Sequence, residues 1–580
     1  MDARFRRATH QQPVFEIPGT ALQYHGYFAE VIGERFQECH PLFVEYVESM
    51  DDLCPLLVDE DYRFSVMSFV GVVLLISLGC GHAARILGIF PSPMISHQLP
   101  FQVIMKALAA RGHQVTVISP HPQKIPIANY TDIDVSDSLK LASEWKFHEL
   151  EKMQPVDTMT IFNYCLSEII DFQLGSPQIQ ALIKNNDTRF DLVIIERVSN
   201  QAFFGLIHQV GSPPVVGVLS LGGMAISYNN MGNPFNPSYL PDTFSPYSDH
   251  MSFWKRFYNA YVCVKIMYVW RSEVLPGQEA LLRKYFGSAP PSVYETEYND
   301  SLLLLNNHWS LSYPRPLLPN VVELTGLHVQ TTTKPLPKDI KSFLDGAEHG
   351  VIYFSLGSNV KSVNLPQEKV QHILDAFSEV PQRVLWKWES DSLPGKPSNV
   401  MIRKWLPQQD VLAHPNIRVF ITQGGLQSFQ EAAYHGVPLI GIPFLGDQFY
   451  NVAKFEAAKI GVQLKFKDLT KDTLLEVIEK LTNDSSYRDN MKTFSAVYRE
   501  EVGPSLDRAI WWIEYVLRHN GAPHLRSAAL DLSWYQYLLL DVIAFLLLVS
   551  IIALIVIYIV LRRLMMFVKS FIPSSKLKSS

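Results

Sequence analysis

The stretch VFITQGGLQSFQEAAYHGVPLIGIP, Val419 to Pro443, decides the fold. Val419 to Thr422 is an apolar run too short for a helix and reads as a buried strand. Gly424-Gly425 makes a turn, Ser428 to Tyr434 has helical character, and Leu439 to Pro443 is a second strand. A strand, a glycine turn, a helix and a strand form a crossover unit, which implies a parallel sheet with ligands at the carboxyl ends of its strands. A glycine pair that leaves a strand and opens a helix also lets backbone N–H groups and the positive helix end approach a phosphate.

The same style extends outward. Val351 to Phe354 is an apolar run entering Ser355-Leu356-Gly357-Ser358-Asn359, and a helix is expected near Gln367 to Ser378. In the first half, Arg85 to Phe90 reads as a strand followed by a Pro/Ser loop. An amphipathic stretch from Phe101 to Ala110 stops at Arg111-Gly112, and Val115 to Ile118 and Leu192 to Ile195 are further strands. The fold class is therefore α/β, with two Rossmann-like domains expected at 85–325 and 326–525, joined through the proline- and threonine-rich stretch from Pro316 to Pro337.

The chain has 580 residues, 47% apolar and 18% charged, with a formal charge of −6. That balance supports a large core and carries no basic field for nucleic acid. Five scattered cysteines, Cys39, Cys54, Cys80, Cys165 and Cys263, suit neither a disulfide framework nor a paired-thiolate zinc site.

Two apolar segments set the compartment. Val542 to Leu561 is an uncharged run of 20 residues, as a helix about 30 Å long, which matches a bilayer core. Arg562, Arg563, Lys569, Lys576 and Lys578 follow it without an acidic residue, so the tail 562–580 is expected in the cytosol. The segment 64–84 has a shorter apolar core and ends in small residues, as a signal sequence does. Residues 1–63 before it are an extension of doubtful status, because Met67 would open an ordinary signal peptide; an uncleaved anchor is the competing reading. A single-pass type I protein with lumenal domains follows. The sequons at Asn129, Asn186, Asn299 and Asn483 fit that topology. Lysines three and five residues from the end resemble an endoplasmic-reticulum retrieval signal.

Chemistry-bearing residues gather between 405 and 448: Trp405-Leu-Pro-Gln408-Gln-Asp, then Gln423-Gly-Gly425-Leu-Gln427-Ser428, then Glu431, then Asp447-Gln448. An aromatic ring can stack on a base, a helix carboxylate can accept ribose hydroxyls, and an Asp-Gln pair can bind sugar hydroxyls.

This ordered set resembles the signature of the UDP-glycosyltransferase family, whose members include vertebrate glucuronosyltransferases and insect UDP-glucosyltransferases. The resemblance implies a GT-B fold, two domains facing a cleft, with the acceptor on the N-terminal half and the UDP-sugar on the C-terminal half. It implies that Trp405 stacks on uracil and that Gln408 and Glu431 reach the ribose. Ser358, Gln423 and Ser428 would face the diphosphate, with Gly425 and Gln427 in the same donor-facing turn, and Asp447 and Gln448 would hold the sugar. The family base is a histidine after the first strand, here His97 in Ser96-His97-Gln98, a residue type suited to taking a hydroxyl proton near neutrality. An inverting transfer of a hexose to a hydroxyl of a small lipophilic acceptor follows, with UDP-sugar as co-substrate and no metal or cofactor expected.

Two positions depart from the family pattern. Glu196 stands where an aspartate commonly orients the histidine, and Gln423 where the glycine loop usually carries histidine; an amide cannot become cationic. They keep a second reading open, a membrane protein of the same fold that binds UDP-sugar or a lipophilic ligand without turnover. Asn306, aligned with an arginine of the glucuronate enzymes, favours a neutral sugar, glucose. The acceptor and self-association of the chain stay open. Phe253 to Trp270 is dense in aromatics at helical spacing, fitting ordinary packing or a face turned to membrane or acceptor.

Overall fold

Runs of Val, Ile and Leu without polar alternation suit strands covered on both faces, and the central strands of the two sheets in the computed structural model are of this kind; the described residues form thirteen strands in all, with polar β3 at one edge. The structure describes residues 83–571 apart from Glu144, Lys146, Pro155 and Asn186. The expected extension 1–63, nearly all of the signal segment 64–84, the sequon at Asn186 and the lysines at 576 and 578 lie outside the described residues.

The first sheet contains β1 (Arg85–Ile89), β2 (Gln114–Ser119), β3 (Tyr130–Asp134), β4 (Leu192–Glu196), β5 (Val215–Leu219), β6 (Asp300–Asn306) and β7 (Val321–Leu324). Its order is β3-β2-β1-β4-β5-β6-β7 and every pairing is parallel. The second contains β8 (Val351–Ser355), β9 (Arg383–Lys387), β10 (Val400–Arg403), β11 (Ile417–Thr422), β12 (Leu439–Gly441) and β13 (Gly461–Gln463). It is also parallel, in the order β10-β9-β8-β11-β12-β13. The chain therefore draws the same doubly wound pattern twice.

Six helices bear on function: α1 (Ile95–Ala110), α2 (Phe253–Val269), α3 (Leu426–His435), α4 (Gln448–Ala457), α5 (Ser505–Arg518) and α6 (Leu540–Ser570). Each sheet is covered on both faces by apolar clusters, as parallel sheets require. The sequence reading groups residues 505–518 with the second domain, but α5 returns to the first. Its Ala509, Ile510, Ile513 and Val516 join Ile86, Phe101, Ile104 and Val216 in one cluster. Thr325 N–H donates to Ser505 Oγ at 2.8 Å where the two crossing strands of chain meet.

Among the described residues, α6 is the one helix long and apolar enough to cross a bilayer, with a mean hydropathy of 3.3 over its most apolar window and none of that window buried. At 31 residues it outruns the expected 542–561 segment at both ends. Exposed Trp534, Tyr535 and Tyr537 precede it, and Arg562 and Arg563 lie toward its other end, the aromatic and basic flanks of a membrane helix.

Candidate active site

In a doubly wound sheet, loops leave adjacent central strands in opposite directions and open a crevice at their carboxyl ends. In the first sheet those strands are β1 and β4, and in the second β8 and β11. Most of the residues singled out from sequence lie at these two points.

At the first, His97 follows β1 and Glu196 ends β4. His97 lies in the first turn of α1 rather than in a loop, because the helix begins before Pro100 and runs through it. Proline costs one intrahelical hydrogen bond there, to the carbonyl four residues back, which a helix tolerates near its start. Fully buried Gln98 fixes this turn. Its amide donates to the Phe90 and Ser92 carbonyls at 3.0 and 2.7 Å, and its oxygen accepts from Ser119 Oγ at 2.9 Å.

His97 Nδ1 meets Glu196 Oε1 at 2.6 Å, with side chains 12% and 1% exposed. The longer glutamate arm therefore does reach the ring. A carboxylate only accepts, so Nδ1 carries the proton and Nε2 of the neutral ring keeps its lone pair. The Asn200 amide donates to the Glu196 carbonyl and holds the strand end.

At the second point, the β8 and β11 loops touch. Gly357 has φ of +75°, and a Cβ there would stand 2.7 Å from Gln423 Nε2, so this turn admits only glycine beside Gln423. Gln423 is buried, and its Oε1 has no hydrogen-bond partner. Gly424, at φ of +85°, lies so close to Val452 that a Cβ would clash with it at 2.5 Å. Gly425 then caps α3, whose first N–H groups face the crevice. Ser358, in the β8 loop, contacts only its neighbour Asn359, at 3.4 Å.

A connected network backs this cradle. Tyr353 donates to Gln408 Oε1 at 2.9 Å, and Gln408 Nε2 donates to Ser428 Oγ at 2.9 Å and Glu431 Oε2 at 2.7 Å. His328 Nε2 lies 3.4 Å from the other Glu431 oxygen. Beside the network Trp405 is 69% exposed with Lys387 Nζ 6.0 Å from its ring centre, a flat surface open to a stacked base.

Asp447 lies where the two halves face each other. Asn451 donates to its Oδ2 at 2.9 Å. Burial pushes its carboxyl above the usual range, while Asn451, the nearby His97 of the other domain and backbone N–H groups pull it back. Asp447 also lines a cavity between the halves with Gly222, Gly223, Asn307, Arg315 and Asn451.

Two expected donor residues, Gln427 and Gln448, are engaged elsewhere, and so is Asn306, the position read for sugar preference. Gln427 Nε2 donates to the Ser220 carbonyl of the first domain at 2.9 Å. Gln448 Oε1 accepts the Phe444 and Leu445 N–H groups at 2.8 and 3.2 Å, so its oxygen staples the loop. Asn306 is buried at the domain junction, donating to the Ser220 carbonyl and accepting from Gln430, both at 2.9 Å. Among the residues missed from sequence, Asn451 was legible as the helical neighbour four positions beyond Asp447. Tyr353, His328 and Gln98 carry no local signal, since only the tertiary fold gives them their partners.

The comparisons agree with this geometry. The model of the UDP-glucoronosyl and UDP-glucosyl transferase family matches residues 87–577. UDP-glucosyltransferase 2 of Dactylopius coccus is 38% identical over 506 residues, covering 84% of this chain and 93% of that one. UDP-glucuronosyltransferase 2B30 of Macaca fascicularis is 32% identical over 510 residues, covering 83% and 94%. The crystal structure of the glycosyltransferase VinC in complex with DTDP is similar in fold, with a TM-score of 0.50 at 16% identity over 75% of this chain and 100% of that one. Two doubly wound domains, a glycine turn opening a helix in the second and a family match running through both sheets into α6 mean that the chain belongs to the UDP-glucoronosyl and UDP-glucosyl transferase family, as a GT-B hexosyltransferase.

Proposed function

We propose that this enzyme moves glucose from UDP-glucose to a hydroxyl of a small lipophilic acceptor in a single inverting displacement. The observation that carries the proposal is the His97–Glu196 pair, largely shielded from solvent and near enough to Asp447 of the donor domain for their charges to interact. The acceptor O–H gives its proton to His97 Nε2 while its oxygen bonds to the anomeric carbon. The bond from that carbon to the diphosphate oxygen breaks, and UDP leaves with the electron pair. Glu196 stabilises the imidazolium as it forms. On the donor side Trp405 stacks on uracil, and Gln408 and Glu431 bind the ribose. Ser358, Gln423, Ser428 and the α3 N-terminus at Gly425 receive the diphosphate charge. Asp447, with the Gln448 amide, binds the sugar. No metal enters this scheme, so turnover should survive chelation.

Glucose is favoured over glucuronate because Asn306 is neutral. Arg315, the cation lining the interdomain cavity, lies over the Tyr228 ring at 5.0 Å and beside Glu323, so its charge is already met within the protein. The basic flank of α6 supports lumenal domains, and the lysines three and five residues from the end support residence in the endoplasmic-reticulum membrane. Because the Glu196 arm reaches His97, that departure from the family pattern does not favour a non-catalytic binder.

The test is microsomes containing the protein, given UDP-[¹⁴C]glucose or UDP-[¹⁴C]glucuronate with a panel of phenols and steroids. Labelled β-glucosides are expected. Labelling only from UDP-glucuronate overturns the sugar, α-linked products overturn inversion, and UDP binding without product overturns the enzyme.

A further inference from the structure

The fold leaves the outer face of α2 uncovered. The helix buries Val262, Cys263, Ile266 and Val269 inward, an apolar stripe sufficient to hold it on the first domain. Its opposite side carries Phe253, Trp254, Phe257, Tyr261, Val264 and Tyr268, each between 48% and 73% exposed. Trp254 packs edge-on against Phe253 and Phe257, with ring centres 5.1 and 6.2 Å apart, so at least this end is a continuous surface. A helix apolar on both sides, with one side facing water, marks a contact surface, and the catalytic scheme uses none of these residues.

We infer that this face seats in the headgroup layer of the same bilayer that α6 crosses. Residue type and charge both fit lipid. Trp, Tyr and Phe have apolar bodies suited to the boundary layer. The helix carries no acidic residue, and while Lys265 is paired with Asp157, Lys255 and Arg256 at its exposed first turn make no ion pair among the described residues and suit lipid phosphates. Continuity with the membrane anchor selects the bilayer as occupant. Asn259 of α2 donates to the Pro237 and Leu240 carbonyls at 2.8 Å and accepts from Asp242 N–H at 3.1 Å, which pins the helix to the loop before it. That loop begins at Gly232, where a Cβ would stand 2.8 Å from Ser527 Cβ and 3.1 Å from Leu530 Cγ. Ser527 and Leu530 belong to the segment leading through Trp534 and Tyr537 into α6. One loop thus braces the aromatic face against the membrane entry, and the first domain is held to the bilayer at two places.

The inference rests on α6 crossing the membrane, and its test separates the two. Full-length protein carries p-benzoylphenylalanine in place of Trp254, Phe257, Val549 of α6 or the exposed Val497 of the second domain. It is irradiated in its native microsomes, and labelled peptides are identified by mass. Lipid adducts at Trp254, Phe257 and Val549 with none at Val497 are expected. Adducts at Val549 without any at the α2 positions, equal adducts at Val497, or cross-links from α2 to a second copy of the chain overturn the seating of α2. Absence of lipid adducts at Val549 overturns the membrane span itself.

Discussion

Replacing Glu196 by glutamine removes one charge from a buried dyad and leaves its shape nearly intact. The 2.6 Å contact puts the imidazolium and carboxylate charge centres about 4 Å apart, worth roughly 4 kcal/mol at an effective dielectric of about 20. Solvent screens little of this, since the Glu196 side chain is 1% exposed. If the proton is half transferred in the transition state, about 2 kcal/mol is lost, and full transfer loses the whole. At about 1.4 kcal/mol per factor of ten, Glu196→Gln should lower kcat by roughly 30- to 1,000-fold. Among the described residues no hydrogen bond or ion pair joins Glu196 to the donor domain, so KM for the UDP-sugar should stay within about twofold. Glu196→Asp retracts the carboxylate by about 1.5 Å, beyond hydrogen-bonding distance but with its charge kept, and should fall between. Initial rates at saturating donor in microsomes measure all three enzymes. A Glu196→Gln kcat within about threefold of the parent, or a loss seen only in donor KM, would refute the assignment of Glu196 as the partner that stabilises the histidine.

His97→Ala should cost about 10² to 10⁴ in kcat while UDP binding by calorimetry is unchanged; an unaltered kcat means the base lies elsewhere. Gln408→Ala unlinks Tyr353, Ser428 and Glu431 at once and should raise donor KM about 10- to 100-fold with a smaller change in kcat, an outcome reversed if Gln408 serves only the fold. Burial holds His308 down to about 4 against about 6.5 in the unfolded chain, so its neutral form favours folding. That stability is present above pH 6.5 and is lost as pH falls toward 4, about 2 kcal/mol by pH 5; His308→Asn should lessen the drop in Tm between pH 7.5 and pH 5, and an equal drop would exclude this histidine. Protease added to sealed microsomes should trim only the tail beyond α6, and glycosidase should shift the remainder, because Asn299 and Asn483 are exposed; digestion of the 405–448 region would place the domains in the cytosol.

Sequence was most informative where chemistry and local structure coincide. The Val419–Pro443 crossover and the Arg85–Ile118 unit appear as β11–α3–β12 and β1–α1–β2, since continuous apolar runs leave little choice but buried parallel strands. Trp405, Gln408, Ser428 and Glu431 converge because a short helix and α3 carry three of them toward one strand end. What escaped was whatever depends on distant packing. The helical setting of His97 was hidden by Pro100, which reads as a helix boundary when seen alone. Gln427 and Asn306 look free in sequence, yet Gln427 closes on Ser220 across the domain junction, and Asn306 bonds to Ser220 within its own domain while accepting from Gln430 across the junction.

The return of α5 to the first sheet makes the order of synthesis matter. The acceptor half is a discontinuous domain with the donor half inserted in it, and the partners Thr325 and Ser505 are separated by 180 positions. At about 5–20 residues per second, roughly 10 to 40 s pass between release of one and the other. Throughout that interval the face formed by Ile86, Phe101, Ile104 and Val216 lacks its last helix. The donor half, continuous in sequence, can fold first. The acceptor half must wait, half-built, for a segment made just before the anchor itself, and this is the window in which the nascent chain is most in need of a chaperone.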